Sequence, residues 1–184
     1  GTDRVAEVAR RPEYRTFSVV VNVQGDEPLI REDHLRKAME LVSPGPWSVG
    51  TCAAPLESPE ARRDPSVVKV ARSGDGRALY FSRAAIPYKR DAAPSDEELA
   101  GPPFLRHLGI YVYRRETLLE WVSLPPSALE RVERLEQLRA LEAGIPVGVA
   151  VVRDAAPGVD TQADVARMEE ILADRNPTPL NPSS

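Results

Sequence analysis

The feature that most restricts the fold of this chain is a valine-rich run at residues 19–23, VVVNV, which stops abruptly at QGDEP. The run is nearly continuous in apolar residues rather than alternating, which predicts a strand over residues 16–23 that is buried on both faces. Strands of this kind belong to sheets that are covered by helices on both sides. Gly25 lets the backbone turn closely, and it places Asp26 just past the carboxyl end of the strand.

Strand-like and helix-like segments alternate along the rest of the chain. Apolar spacing predicts further strands at 48–55, 103–114 and 146–153, a polar loop at 88–103, and a hairpin at 66–83 whose turn contains Gly74 and Gly76. It also predicts helices at 2–11, 31–42, 115–124, 127–143 and 160–175. Thr2 is the expected N-cap of the first helix, and the helix at 127–143 has Val132 on its apolar line and Gly144 at its C-terminal end. This order predicts an α/β fold with a mainly parallel sheet, helices on both faces and one antiparallel hairpin insertion. We expect a single domain over residues 1–175 and a loose tail at 176–184.

Composition excludes several classes of protein. Among the 184 residues, hydrophobic side chains make up 42% and charged ones 28%, as in soluble globular proteins. A net charge of −4 argues against a surface that binds nucleic acid through bulk positive charge. The apolar runs are far shorter than the roughly 20 residues of a membrane helix. Cys52 is the only cysteine, so the chain cannot form an internal disulfide and a reducing, cytoplasmic compartment is expected. Cys52 itself is interpreted as an inert core residue.

Two carboxylates stand where ligands bind in open α/β sheets, beyond the carboxyl ends of strands. Asp26 follows the first strand, and Asp160 follows the last strand after a turn at 154–158. Together they provide the oxygen ligands that Mg²⁺ prefers, which would suit phosphoryl or nucleotidyl transfer. The alternative is that Asp26 belongs to a simple turn and that Asp160 only caps a helix.

Other polar residues have two possible roles each. Arg83 follows a strand and either binds an anion or is a solvated charge, and His107 either contacts a ligand or is hydrogen-bonded scaffold. Glu136 and Gln137 are neighbours in a helix, so one of them must lie near its apolar face. His34 is predicted to be solvated on a charged helix face.

Five ordered blocks resemble one family closely: VNVQGDEPLI at 21–30, VKV with ALYFSRAAIPY at 68–70 and 78–88, FLRHLGIYVYR at 104–114, LERVERLEQLRALEAG at 129–144 and GVDTQADV at 158–165. They occur in this order in the 3-deoxy-manno-octulosonate cytidylyltransferases, or CMP-Kdo synthetases. The resemblance implies a Rossmann-like sheet of the nucleotide-diphospho-sugar transferase type. It also implies Mg²⁺-dependent transfer of CMP from CTP to the sugar acid Kdo, with release of pyrophosphate, for lipopolysaccharide biosynthesis.

The same resemblance implies roles for individual residues. Asp26 and Asp160 match the family's catalytic magnesium-binding pair, while Thr2 and Arg4 match a segment near the nucleotide. The residues that match Kdo contacts are Gln24, Arg83, His107, Tyr111, Glu136 and Gln137. In the family the hairpin region serves dimerisation, so we expect a homodimer.

The printed sequence differs from the family in one respect. Family members begin with a strand and a loop of the form ARxxSxRLPGKPL, which holds the CTP triphosphate, and the printed sequence starts after that position. We therefore expect these 184 residues alone to be inactive or nearly so, with apolar faces such as Val19–Val23 exposed. Two alternatives remain: a cytidylyltransferase for another acidic sugar, such as a sialic acid or an amino-substituted Kdo, and a non-catalytic remnant that binds the sugar.

Overall fold

A computed structural model describes residues 1–25, 30–56 and 58–153, together with the separate positions 165, 166 and 169. The helices in this part are α1 Thr2–Arg10, α2 Glu32–Val42, α3 Pro59–Arg63, α4 Asp96–Leu99, α5 Arg115–Trp121, α6 Ala128–Glu133 and α7 Gln137–Glu142. The strands are β1 Val19–Val23, β2 Val49–Pro55, β3 Lys69–Arg72, β4 Ala78–Ser82, β5 Leu105–Arg114 and β6 Val147–Val151. The predicted strands appear in the predicted order over these residues. The short helices α3 and α4 were not predicted, and α4 lies within the segment predicted as a polar loop at 88–103.

The six described strands form one mixed sheet, in the order β4-β3-β5-β2-β6, with β1 paired to β5. Only β2 and β6 pair in parallel. Strand β5 lies between β1 and β2 and runs antiparallel to both, and the hairpin β3–β4 is antiparallel as predicted. The prediction of a mainly parallel sheet is therefore only partly confirmed. Strands β1, β2 and β6 do point the same way, but β5, which follows the hairpin insertion, enters between them in the opposite direction.

Helices cover both faces of the sheet, as predicted. Helix α2 packs on one face, where Ala38 and Val42 meet Cys52 and Leu108. Helices α1, α5 and α7 contribute to the larger apolar cluster on the other face. Successive residues of a strand point to opposite faces, so β5 sends Leu108, Ile110 and Val112 toward α2 and its odd-numbered residues to the other side.

Strand β1 forms where the valine run predicts it, but it is not buried on both faces. Val21 is 42% exposed and Val23 is 43% exposed. Among the described strands, β1 pairs with β5 alone, so part of its surface remains open to solvent. The expected exposure of Val19–Val23 is confirmed for Val21 and Val23, while the rest of the run is partly buried.

The prediction for His34 is wrong. This side chain is 1% exposed, and its Nε2 lies 3.1 Å from the carbonyl oxygen of Arg153. It lies in the first turns of α2 on the side that faces the sheet, and Cys52 Sγ donates to its backbone carbonyl at 3.3 Å. Cys52 is buried as predicted, and burial raises the pKa of its thiol to about 12.

The helix predicted over 127–143 is two helices. Arg134 adopts a left-handed conformation with φ 55° between α6 and α7, and Val132, on the predicted apolar line, is 81% exposed. Arg83 Nε donates a hydrogen bond to the Glu133 carbonyl oxygen. In a continuous helix, this oxygen would instead accept from the backbone N–H of Gln137. Gly144 ends α7 with φ 76°, the C-terminal position predicted for it.

The described residues contain no helix long and apolar enough to cross a membrane. Thr2, predicted as the cap of the first helix, is the first helical residue instead, and Gly1 occupies the cap position. The predicted tail at 176–184, Asp160 and most of the helix predicted over 160–175 lie outside the described residues.

Candidate functional site

One face of β5 carries the centre of the candidate site. His107, Gly109, Tyr111 and Tyr113 alternate along the strand and therefore share a face. The rings of His107 and Tyr111 are 5.2 Å apart, and Tyr111 stacks on Tyr113 at 5.8 Å. Phe81 of β4 meets the His107 ring edge-on at 5.1 Å, which fixes the plane of the imidazole.

Gln24 reaches this face from the end of β1. Its backbone N–H donates to the Gly109 carbonyl at 2.9 Å, and its side chain covers Gly109. A Cβ at position 109 would lie 3.0 Å from Gln24 Cβ and closer still to Oε1. Only glycine therefore leaves room for the Gln24 side chain in this position, between His107 and Tyr111 along β5. Gln24 is one of the residues for which the resemblance implies a sugar contact.

His107 is anchored by a threonine that the sequence did not single out. Thr51 of β2 is fully buried, and its Oγ1 lies 2.9 Å from His107 Nε2 and 2.6 Å from the carbonyl oxygen of Ile110. Burial lowers the pKa of His107 to about 3, so the imidazole is neutral at physiological pH.

Arg83 follows β4, and four hydrogen bonds fix its side chain and its backbone. Its Nε donates to the Glu133 carbonyl and its Nη1 to the Pro65 carbonyl, both at 2.8 Å. Its backbone N–H donates to Glu133 Oε2 at 3.0 Å, and Lys69 Nζ donates to its carbonyl at 2.7 Å. Within the described part of the chain, Nη2 has no protein acceptor. An incoming carboxylate can therefore meet the guanidinium end-on, through Nη2 and the second Nη1 hydrogen.

Glu136 and Thr2 lie in direct contact, although 134 residues separate them. The Thr2 backbone N–H and hydroxyl both donate to Glu136 Oε2, at 2.8 and 2.6 Å. Burial raises the pKa of Glu136, but the Thr2 bonds and the amino group of Gly1, 3.5 Å from Oε1, together lower it by more, so the carboxylate stays ionised. The negative charge of Glu136 lies close enough to Tyr111 and Tyr113 to add to the effect of burial, and the pKa of each phenol is raised.

The remaining predicted residues have different outcomes. Gln137 is 7% exposed at the start of α7, so it is the member of the Glu136–Gln137 pair that lies near the apolar face. Arg4 is on the exposed side of α1, and its guanidinium contacts no described residue of the site. Asp26 and Asp160 lie outside the described residues, so the structure does not test the metal pair.

Four residues of this site were missed by sequence reasoning: Thr51, Gly109, Lys69 and Glu133. Two of them did leave a signal. A threonine inside the apolar strand VGTCAAP must find hydrogen-bond partners, and a glycine inside a strand indicates a close approach. Nothing in the local pattern marks Lys69 or Glu133, because the contacts that join them to Arg83 are made in space, over 14 and 50 residues of sequence.

Between residues 1–25, 30–56 and 58–153, no group of three or more His, Cys, Asp or Glu side chains is placed to hold a metal ion. The described polar side chains suit an organic ligand. They include a guanidinium at the end of β4, a neutral imidazole, phenols and an amide on the face of β5, and an accepting carboxylate at the start of α7. Such a set matches an acidic molecule that is rich in hydroxyl groups.

Comparison with known proteins gives the following similarities. A family model described as cytidylyltransferase matches residues 1–152. The 3-deoxy-manno-octulosonate cytidylyltransferase of Gemmatimonas aurantiaca is 50% identical over 167 residues, which cover 91% of this chain and 64% of that protein. The enzyme of the same name from Pectobacterium carotovorum is 45% identical over 177 residues, covering 95% of this chain and 70% of the relative.

A solved structure of CMP:2-keto-3-deoxy-manno-octonic acid synthetase complexed with CTP superposes with a TM-score of 0.82 at 36% sequence identity. The match covers 95% of this chain and 68% of that one. The chain thus spans about two thirds of the length of the relatives it matches.

Proposed function

This chain belongs to the family of 3-deoxy-manno-octulosonate cytidylyltransferases, and on that premise we propose that it serves to transfer CMP from CTP to Kdo, giving CMP-Kdo and pyrophosphate. The observation that carries the proposal is the arrangement on β5, where His107 and Tyr111 flank Gly109 and the Gln24 side chain that covers it. The sequence resemblance assigned three of these residues to the sugar, and the fold brings them to one face.

Each group on this face suits a part of an acidic sugar. Arg83 offers two N–H groups to the sugar carboxylate in the end-on geometry. Glu136 is ionised and accepts hydrogen bonds from hydroxyl groups, while Tyr111, with its raised pKa, remains a protonated phenol that both donates and accepts. These contacts would fix the sugar so that one hydroxyl faces the α-phosphate of the nucleotide.

We assign Mg²⁺ to Asp26 and Asp160. Strands β1 and β6 point the same way in the sheet, so the segments that follow them leave from the same edge. Two intervening strands separate the two ends by about 14 Å, at about 4.8 Å per strand. Eight residues lie between Val151 and Asp160, enough to span this distance, and carboxylate oxygens are ligands that Mg²⁺ prefers. When bound, the ion would neutralise phosphate charge.

The nucleotide side is assigned to Thr2 and Arg4, next to Glu136 of the sugar side. The similar synthetase of known structure is complexed with CTP, which supports CTP as the nucleotide. We further propose a homodimer formed through the hairpin region, a cytoplasmic location, and a role in lipopolysaccharide biosynthesis, all of which follow from the family.

Sugar binding can be tested with the printed chain by calorimetric titration of Kdo. We expect Arg83→Ala to abolish measurable binding, and Arg63→Ala to leave it unchanged, because Arg63 is 65% exposed and pairs only with Glu60 at 3.8 Å. Thermal unfolding of both variants separates loss of the ligand contact from loss of the fold. Binding that Arg83→Ala does not alter would contradict the site.

The reaction is tested by measuring the release of pyrophosphate from CTP in the presence of Kdo and Mg²⁺. The 184-residue chain is compared with a version that is extended upstream. Asp26→Asn and Asp160→Asn should each remove the activity without removing Kdo binding. Release with a sialic acid but not with Kdo would indicate the sister enzyme class. Kdo binding with no release in either form would indicate a non-catalytic sugar-binding protein.

A further inference from the structure

The hydroxyl of Thr51 has a single proton and two close neighbours. Its Oγ1 lies 2.6 Å from the Ile110 carbonyl oxygen, which can only accept a hydrogen bond, and 2.9 Å from His107 Nε2. A second carbonyl, that of Leu108, is more distant at 3.5 Å. Two oxygen atoms approach to 2.6 Å only with a proton between them, and the carbonyl has none, so the hydroxyl proton points to the Ile110 carbonyl.

The direction of this bond decides the state of His107. Since the Thr51 oxygen donates to a carbonyl, it must accept from His107, and Nε2 must carry the imidazole proton. A neutral imidazole has one N–H, so Nδ1 carries a lone pair. Burial keeps the ring neutral, and its lowered pKa agrees with this assignment.

Nδ1 is available to a ligand. His107 is half-buried: its neighbours enclose enough of the ring to lower its pKa, but part of the side chain reaches solvent. None of the described residues bonds to Nδ1, and the buried polar atoms without a partner in this part of the chain belong to other residues, so Nδ1 is open to solvent. The ring cannot turn freely, because Phe81 and Tyr111 contact it at centroid distances of 5.1 and 5.2 Å.

We propose that Thr51 is a positioning residue that holds His107 in the Nε2–H tautomer, so that Nδ1 accepts a hydrogen bond from a hydroxyl group of the bound sugar acid. The tautomer follows from the described residues alone, and the identity of the donor rests on the proposed function. The site then selects a sugar by its pattern of hydrogen-bond donors and acceptors. Arg83 donates to the carboxylate, while His107 and Glu136 each accept from a hydroxyl group. A sugar acid that is deoxygenated or methylated at the hydroxyl facing His107 should be rejected.

The tautomer can be observed by nitrogen NMR of the chain labelled with ¹⁵N-histidine, because the chain has only two histidines. The variant His34→Gln assigns the two sets of signals. We expect His107 to show a protonated Nε2 and an unprotonated Nδ1 at neutral pH. A protonated Nδ1 in the unmodified chain would overturn the proposal without any variant.

Two substitutions at position 51 then test the cause. Thr51→Val keeps the shape and removes the hydroxyl, so we expect the tautomer of His107 to change or to become mixed, and the affinity for Kdo to fall about tenfold. Thr51→Ser restores the hydroxyl and should restore both readouts. An unchanged tautomer and affinity in Thr51→Val would overturn the positioning role.

The tautomer of His107 and the binding of Kdo can be contradicted independently of each other. If the unmodified chain shows the expected tautomer but does not bind Kdo, the assignment of the donor and the proposed function are overturned together, while the tautomer stands. If it binds Kdo and His107 carries its proton on Nδ1, the proposed function stands and the role of Thr51 is overturned. Serine rescue in the binding titration excludes a general loss of packing as the explanation.

Discussion

Thr2 Oγ1 donates a hydrogen bond of 2.6 Å to Glu136 Oε2, and the Thr2 backbone N–H donates a second one of 2.8 Å to the same oxygen. The carboxylate thereby satisfies an N–H in the first turn of α1, a position where negative charge is favoured by the helix dipole. It also joins the start of α1 to the start of α7, and so connects the segment assigned to the nucleotide with a residue assigned to the sugar.

Replacing Thr2 by valine should remove one of the two bonds and keep the shape. We expect the free energy of unfolding at neutral pH to fall by about 1 kcal/mol, less than is usual for a charged hydrogen bond, because Glu136 is 43% exposed and solvent screens the interaction. Chemical denaturation measures the change. Thr16→Val, at an exposed position ahead of β1, is the matched control and should have no effect.

The same bond makes a prediction about pH. The pKa of Glu136 is lower in the folded chain than in the unfolded one, so its stabilising effect is complete above the unfolded pKa of a carboxyl group. The effect disappears as the pH falls through the folded pKa. The stability difference between the unmodified chain and Thr2→Val should therefore shrink in acid, and a difference that grew in acid would contradict the assignment.

Gly109→Ala should displace Gln24. The added methyl carbon would lie 3.0 Å from Gln24 Cβ, so the glutamine side chain must move away from the face of β5. We expect the affinity for Kdo to fall about tenfold, with a loss of about 1 kcal/mol in stability from the steric contact. Gly74→Ala is the control, since nothing lies within 4 Å of a Cβ there. If both variants bound Kdo with the same affinity, the assignment of Gln24 to the sugar site would be wrong.

Glu133→Gln should loosen Arg83. The Glu133 carboxylate accepts from Ser82 Oγ at 2.6 Å and from the Arg83 N–H at 3.0 Å, and a neutral amide can replace only one of these acceptors well. We expect a loss of about 1 kcal/mol in stability and about fivefold weaker Kdo binding, measured by denaturation and calorimetry. Glu142→Gln, on the exposed side of α7, has no contact with Arg83 and should leave Kdo binding intact.

Lys69→Met tests the buried ammonium beneath Arg83. Lys69 Nζ is fully buried and donates to the carbonyls of Asp64, Val67 and Arg83 at 2.8, 2.5 and 2.7 Å. Methionine fills the space but leaves these acceptors without a donor. We expect a loss of about 3 kcal/mol at neutral pH, together with weaker Kdo binding, because the carbonyl of Arg83 is no longer held.

Lys69 also gives a signature at alkaline pH. Burial lowers its pKa to about 8 in the folded chain, against about 10.5 in the unfolded chain. Between these values the unfolded state binds more protons, so stability rises with pH relative to a chain without the lysine. The stability of the unmodified chain relative to Lys69→Met should therefore increase from pH 8 to about 10.5, and a decrease would indicate a raised pKa instead.

Local pattern was sufficient for all six described strands and for the helices α1, α2 and α5, but not for the short helices α3 and α4. The valine run, the amphipathic spacing of α2, the hairpin with Gly76 at φ 101° and the closing Gly144 were all predicted from neighbours in sequence. The prediction of one helix over 127–143 was wrong, because Arg83 bonds to the Glu133 carbonyl from 50 residues away and no local rule includes that partner.

The sequence by itself determined which segments become strands and helices, because periodic burial and glycine turns are local properties of the chain. With the family resemblance, it also named the residues that would contact the sugar. Only the tertiary structure decided that β5 runs against its neighbours, that His34 is buried, and that Thr51, Lys69 and Glu133 hold His107 and Arg83 in place. The reason is physical: a buried polar group must find its hydrogen-bond partner in space, and that partner can stand at any distance along the chain.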